Sequence, residues 1–133
     1  MIKWDESWSI GDKLIDSQHR ELVRLVNDLF SSGKETRENI SAALSFLANY
    51  TVTHFNDEEA LQRKHRFPGF EKHKQVHSDF KAVVVDLLAK YETTDSPEQL
   101  LNTIKKALVE WLVNHITIED KKIGHYIESR NQK

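Results

Sequence analysis

Residues 37–64 read RENISAALSFLANYTVTHFNDEEALQRK, and this stretch decides the fold. Ile40, Leu44, Leu47, Thr51, His54, Glu58 and Leu61 recur at steps of three and four, so they share one face of an α-helix. That face begins as an ordinary apolar core stripe. It ends in an imidazole and a carboxylate one turn apart. Thr36 stands in position to cap the first turn, and Phe67-Pro68-Gly69 breaks the chain beyond it. A helix is therefore expected over about residues 37–65.

The same pattern lies on either side. A helix over about residues 16–31 carries the stripe Ile15, Leu22, Val23, Val26, Leu29 and Phe30, with Ser32-Gly33 to end it. A third, over about 70–91, places Phe70, His73, His77, Phe80, Val84, Leu87 and Tyr91 on one face. The fourth, over about 97–127, opens with Ser96 as cap, Pro97 at the first helical position and Gln99 completing a capping box. Gly124 is expected to loosen its last turn. Residues 1–15 lack helical periodicity and read as an arm laid over the helices, with Trp4 and Trp8 as anchors. Four amphipathic helices with short connections predict an all-α, up-down-up-down four-helix bundle with an N-terminal arm. At 133 residues the chain is expected to form a single domain over 1–133.

Composition agrees with that reading and narrows the function. With 30% charged residues and only 4 Gly and 2 Pro, the chain suits long helices with wet outer faces. A net charge of -2 offers no basic excess for a phosphate backbone, so nucleic acid is not an expected partner. The absence of cysteine excludes disulfides, thiolate zinc sites and cysteine-ligated iron–sulfur clusters. No apolar run approaches the roughly 20 residues that span a bilayer, and Met1 to Glu6 lacks an apolar signal core. The expectation is a cytoplasmic protein with no membrane partner, monomeric because its outer faces are charged.

The chemistry lies where the helical stripes turn polar. His19 precedes Leu22 and Val23 by three and four residues and so points into the core. His54 and Glu58 share the inward face of the second helix, and His73 and His77 repeat that spacing on the third. His115 follows Leu108 and Leu112 on the inward stripe of the fourth. A lone core histidine is usually just hydrogen-bonded, and a single His pair is often a surface accident. One set on every helix, each on the apolar face, is a different matter. Burying five imidazoles and a carboxylate without compensation would cost several kcal/mol for each ionised group. A metal supplies that compensation, since it takes neutral imidazole nitrogen and carboxylate oxygen as ligands.

Four segments carry a resemblance: Asp16-Ser17-Gln18-His19, His54-Phe55-Asn56-Asp57-Glu58-Glu59, His73-x-x-x-His77, and Trp111-Leu112-Val113-Asn114-His115-Ile116-x-x-x-Asp120. In order and spacing, over nearly the whole chain, they resemble the hemerythrin family. The resemblance implies two non-haem iron ions. His73, His77 and His115 would bind one and His19 and His54 the other. Glu58 and Asp120 would bridge them together with a solvent-derived oxo or hydroxo ligand. The iron with two histidines would keep an open position for O2. Five histidines plus two carboxylates also exceed one tetrahedral zinc site, and ligands of nitrogen and oxygen without sulfur suit iron or manganese, with imidazole tilting the choice to iron.

Asp120 is where spacing and resemblance disagree. At roughly 100° per residue, His115 and Asp120 lie about 140° apart, and Glu119 is closer in angle. The resemblance selects Asp120. Phe55, Leu112 and Ile116 are expected to form a dry wall around the O2 position. His65 and His125 are assigned to no metal, and Gln62 stands where bacterial relatives often carry methionine, with pocket packing and surface exposure both open to it. The leading functional reading is reversible O2 binding for storage, delivery or sensing, not catalysis. The alternatives are a di-iron enzyme or sensor acting on peroxide or nitric oxide, and an iron-handling module working through a partner protein. The chain lacks the Glu-x-x-His pairs of oxidase-type bundles, which favours binding.

Overall fold

A computed structural model describes residues 2–31 and 36–131. Four helices pack antiparallel in sequence order: α1 (Lys13–Ser31), α2 (Arg37–Lys64), α3 (Phe70–Thr93) and a fourth made of three pieces. That fourth helix runs as α4 (Pro97–Asn114), then a π-helical turn over His115–Asp120, then α5 (Lys121–Asn131) without a break. The described residues contain no strand. α1 packs on α2 and α4, and α3 packs on the same two, which closes the square of an up-down-up-down bundle. No helix among the described residues is long and apolar enough to cross a membrane.

The core divides along the bundle axis. Near the α1–α2 connection it is apolar, built from Leu22, Val26, Leu44, Leu47, Ile104 and Leu108. Toward the other end the buried side chains become His19, His54, Glu58, His73, His77, His115 and Asp120, every one at most 4% exposed.

Helix boundaries follow local hydrogen bonding. α1 starts at Lys13, ahead of the position expected near residue 16, because Asp12 caps it: its Oδ2 accepts from Ile15 N at 3.0 Å and its carbonyl from Asp16 N at 2.9 Å. The Ser32-Gly33 ending expected for this helix, and the Phe30 side chain expected in its stripe, lie outside what is described. Thr36 caps α2 through Asn39 N. α2 ends in a Schellman arrangement, with Phe67 N donating to Gln62 O at 2.9 Å and Arg66 N to Arg63 O at 3.1 Å. Arg66 takes the left-handed position of that motif at φ 55°, a place usually given to glycine. The capping box expected at α4 does not form. Pro97 sits in the first turn, but Ser96 makes no side-chain cap bond, and its own N–H donates to Thr94 Oγ1 at 3.0 Å.

The arm lies along the bundle as expected, and specific bonds hold it. Ile2 exchanges two 2.8 Å hydrogen bonds with the Asn27 side chain. Trp4 and Trp8 meet edge to face at 5.5 Å, with Arg20 over the Trp4 ring. Further along, Asp16 accepts from Ile10 N and Ser9 Oγ, and Lys121 Nζ donates to Ser9 O at 2.9 Å. Gly124 is the reason the arm can close there. A Cβ on it would meet Ile10 O at 2.8 Å and Ile10 Cβ at 2.9 Å. The helix runs straight through this glycine to Asn131, so the residue permits close approach and does not loosen the turn.

Candidate metal centre

The periodicity that buries one face of each helix also delivers the polar side chains to one depth. His19 comes from α1, His54 and Glu58 from α2, His73 and His77 from α3, and His115 and Asp120 from the two ends of the π-helical turn. They form two groups. Glu58, His73, His77, His115 and Asp120 bring one donor atom each within 4.8 Å of one another, and so do His19, His54, Glu58 and Asp120. The two carboxylates belong to both.

Each carboxylate divides its oxygens between the groups. Glu58 Oε1 lies 2.8 Å from His73 Nε2 and 3.2 Å from His77 Nε2, while its Oε2 lies 3.2 Å from His54 Nε2 and 3.4 Å from His19 Nε2. Asp120 Oδ1 lies 3.0 Å from His115 Nε2 and 3.1 Å from His73 Nε2, and Oδ2 lies 2.9 Å from His19 Nε2. That is the disposition of two bridging carboxylates.

The contacts are short but many are not hydrogen bonds. His19 Nε2, Glu58 Oε2 and both Asp120 oxygens have no hydrogen-bond partner although all are buried. The Nε2 atoms of His77 and His115 face each other at 3.0 Å. Such atoms come together because they aim at common points. In a protein where buried polar groups are nearly always paired, orphans concentrated in one place need a ligand to explain them. A pair of cations taking imidazole nitrogen and carboxylate oxygen fits this donor set.

Electrostatics points the same way. Burial would depress His19, His73 and His115, but the carboxylates of Asp120 and Glu58 outweigh it and raise them to about 9, about 9 and about 10. Burial would likewise raise both carboxyls, and the surrounding imidazoles instead hold Glu58 and Asp120 well below the ordinary range. Without a metal, protons on imidazole neutralise the carboxylates.

The π-helical turn brings Asp120, and not Glu119, to the donor groups. A π turn closes its hydrogen bonds five residues back, one more than an α turn. Asp120, five residues after His115, therefore occupies the place that a residue four along would hold in an α-helix. Glu119, the choice by simple angle, is turned outward to Lys122. Thr117 Oγ1 donates to Val113 O at 2.7 Å, the kind of side-chain bond that bends helices.

Supporting residues hold the imidazoles. Gln18 Oε1 lies 2.8 Å from His54 Nδ1, and Gln18 Nε2 donates to Asp57 Oδ2 at 2.7 Å. Glu59 Oε2 lies 2.9 Å from His77 Nδ1. Phe55 stacks on His77 at 3.8 Å, and Trp111 stacks on His115 at 4.3 Å. The sequence reading did not give Gln18 or Glu59 a role. The available signal was adjacency: each neighbours a donor-group residue on its helix, turned toward the next helix in the square. His65 caps the end of α2 and His125 is exposed, and neither joins a donor group. Gln62, not Leu61, is the fully buried residue one turn beyond Glu58.

A cavity of about 40 Å³ opens beside the donor cluster. His54, His115 and Asp120 line its near end, Phe55, Leu112 and Ile116 its wall, and it reaches up to Leu44 and Leu108. A water needs roughly 10–15 Å³ by the same measure, so a diatomic molecule has room. The one hydroxyl on its surface, Thr51 Oγ1, donates to Leu47 O at 2.8 Å.

An antiparallel four-helix bundle with two carboxylate-linked donor groups at its core defines a helical di-metal protein. Comparison with known proteins narrows this. The Hemerythrin HHE cation binding domain matches residues 11–127, and the chain belongs to the hemerythrin family, whose domains hold a non-haem di-iron centre. It is 34% identical to a myohemerythrin of Riftia pachyptila over 113 residues, covering 85% of this chain and 82% of that one. Bacteriohemerythrin of Stenotrophomonas maltophilia (strain R551-3) is 25% identical over 97% of this chain and 83% of its own length. A crystal structure of a hemerythrin leucine-to-alanine mutant superposes with a TM-score of 0.81 at 26% identity, covering 95% of this chain and 96% of that one.

Proposed function

We propose that the chain binds O2 reversibly, for storage, delivery or sensing, at a di-iron centre held by His73, His77 and His115 on one side, His19 and His54 on the other, and Glu58 and Asp120 between. The observation that carries this reading is the asymmetry of the donor groups next to a dry cavity. The cavity touches both groups, through His54 and His115, and the group with only two imidazoles, His19 and His54, has one fewer protein ligand. The iron pair, when bound, supplies the electrons and the coordination position that hold O2.

The chain's own residues make that holding reversible. Phe55, Leu112 and Ile116, each at most 7% exposed, keep water and anions from the open side. Gln18 and Glu59 take the Nδ1 protons of His54 and His77 and so present Nε2 to the metals. No cavity-lining group carries a free acid: the His115 and His54 rings and Asp120 all belong to the donor groups. A site without a proton donor aimed at bound O2 favours release over turnover. The test is iron content together with the visible spectrum of reduced, anaerobic protein before and after air and again after oxygen removal. About two irons per chain and an absorption band that comes and goes with O2 are expected. Immediate oxidation that deoxygenation does not reverse would overturn the binding reading.

A further inference from the structure

Seven buried side-chain atoms among the described residues lack a hydrogen-bond partner, and they sit on only four residues: His19, Glu58, Gln62 and Asp120. Metal ions in the two donor groups account for four of them, namely His19 Nε2, Glu58 Oε2 and both Asp120 oxygens. What remains is His19 Nδ1 and the two polar atoms of the Gln62 amide. Once Nε2 is committed to a metal, Nδ1 must carry the proton and becomes a donor that needs an acceptor. Gln62 is 0% exposed, and its Oε1 is an acceptor without a donor. The leftover groups are complementary.

Placement sets the two residues on adjacent antiparallel helices, with no hydrogen bond between them in this structure. The Gln18 bonds to His54 and Asp57 set the antiparallel register of α1 against α2. Gln62 lies one turn beyond Glu58, toward the level where α1 begins. Side chains on a helix lean toward its N-terminus, so in an antiparallel pair His19 leans toward the level of Gln62 and Gln62 leans back toward the donor cluster. Two of the other four imidazoles show the pattern: His54 and His77 each have a side-chain oxygen of a neighbouring helix on Nδ1. His19 has no such oxygen, and Gln62 has one to offer.

We propose that Gln62 is the positioning residue of His19, accepting its Nδ1 proton in the metal-loaded protein and so fixing the ring with Nε2 toward the iron it shares with His54. This rests on the di-iron reading above and adds to it a part specific to this chain's glutamine. Gln62 touches neither O2 nor iron, so its removal is expected to loosen one iron and spare the other.

The test uses the full chain, freed of metal and reloaded anaerobically with Fe(II), as wild type, Gln62→Met and Gln62→Glu. Methionine keeps the length and removes the acceptor. Glutamate keeps the acceptor. Urea unfolding of the metal-free proteins establishes that both variants fold. Two readouts follow: the paramagnetically shifted, exchangeable imidazole N–H resonances, and the rate at which a chelator removes iron. In Gln62→Met one N–H resonance is expected to move while the others hold, and one iron equivalent to leave roughly 10–100-fold faster than from wild type. Gln62→Glu is expected to restore slow release. Unchanged resonances, whether with release within twofold of wild type or with both irons equally loosened, would overturn the role of Gln62 while leaving the di-iron reading intact. Failure of the wild type itself to take up about two irons would overturn both.

Discussion

Gly124→Ala separates two accounts of the same glycine by the sign of one measurement. Glycine inside a helix costs about 1 kcal/mol relative to alanine, so an unconstrained helical glycine predicts that the substitution stabilises by that amount. The structure predicts the reverse. Gly124 is buried, and the new methyl would lie 2.8 Å from Ile10 O, 2.9 Å from Ile10 Cβ and 3.0 Å from Ile10 Cα. Two of these are backbone atoms that cannot swing aside. Ile10 is also pinned, because its N–H donates to Asp16 Oδ1 and the preceding carbonyl accepts from Lys121 Nζ. Overpacking of this kind costs about 1–3 kcal/mol. Full release of the arm costs more, since it exposes Ile10, worth about 1.5–3 kcal/mol, and strips two hydrogen bonds from charged groups, about 1.5–3 kcal/mol each. The chain takes the cheaper course and shifts locally. After subtraction of the helix gain, the net effect is a loss of up to about 2 kcal/mol. Urea unfolding of wild type and variant in the same metal state measures it, with the slope checked for constancy. A variant more stable than wild type, as an unconstrained helical glycine would give, would refute the packing argument.

Other consequences are as direct. His73→Ala or His77→Ala is expected to lose iron while the helical content holds, whereas His125→Ala, exposed on α5, should keep full iron content; metal analysis after desalting decides it. Arg66→Gly is expected to stabilise by about 0.5–1 kcal/mol, because a non-glycine residue holds φ 55° there, and a lowered urea midpoint would count against it. The metal-free protein should weaken as pH rises. Its His19, His73 and His115 sit at about 9, about 9 and about 10 against an ordinary 6.5, so the stability they contribute is complete below about 6.5 and is lost through pH 9–10. Metal uptake at pH 7 should accordingly release protons. A urea midpoint higher at pH 9.5 than at pH 7, or metal uptake without proton release, would contradict the charge assignment.

The helices and the histidines were legible for one reason: an α-helix has a fixed period, and a polar residue on an apolar face stands out against it. Ile40 through Glu58 shows this on a single helix. Where contact is made across the chain, local pattern carries no trace of it. Nothing near Gly124 in sequence reports that Ile10 will lie on it. Gln62 was obscured differently, because residues three and four after Glu58 both fall on the inner face, and a preference for apolar residues selects Leu61. The position of Gln18 and Glu59 shows the same limit, since each faces sideways to a neighbouring helix and lies on no stripe. The Ser96 capping box failed because Thr94, two residues back, competes for the same turn.

Asp120 is the deepest of these cases. Leu108, Leu112, His115 and Ile116 are buried upstream, and Asp120 and Ile123 downstream, so the steps along the fourth helix run four, three, one, four and three. Within that stripe His115 and Asp120 are the pair a continuous α-helix would hold furthest apart, because five residues swing the side chain about 140°. One extra residue in the turn removes the conflict, and the π-helical stretch spends it on the solvent side, where Ile118 is 53% exposed. Both phases of the helix are thus preserved: α4 keeps its apolar seam against the bundle, and α5 keeps Ile123 and Gly124 under the arm. The irregular turn is therefore no local defect. It is the place where packing demands from two ends of a helix meet, and Asp120, which with Glu58 of α2 belongs to both donor groups, sits at that junction.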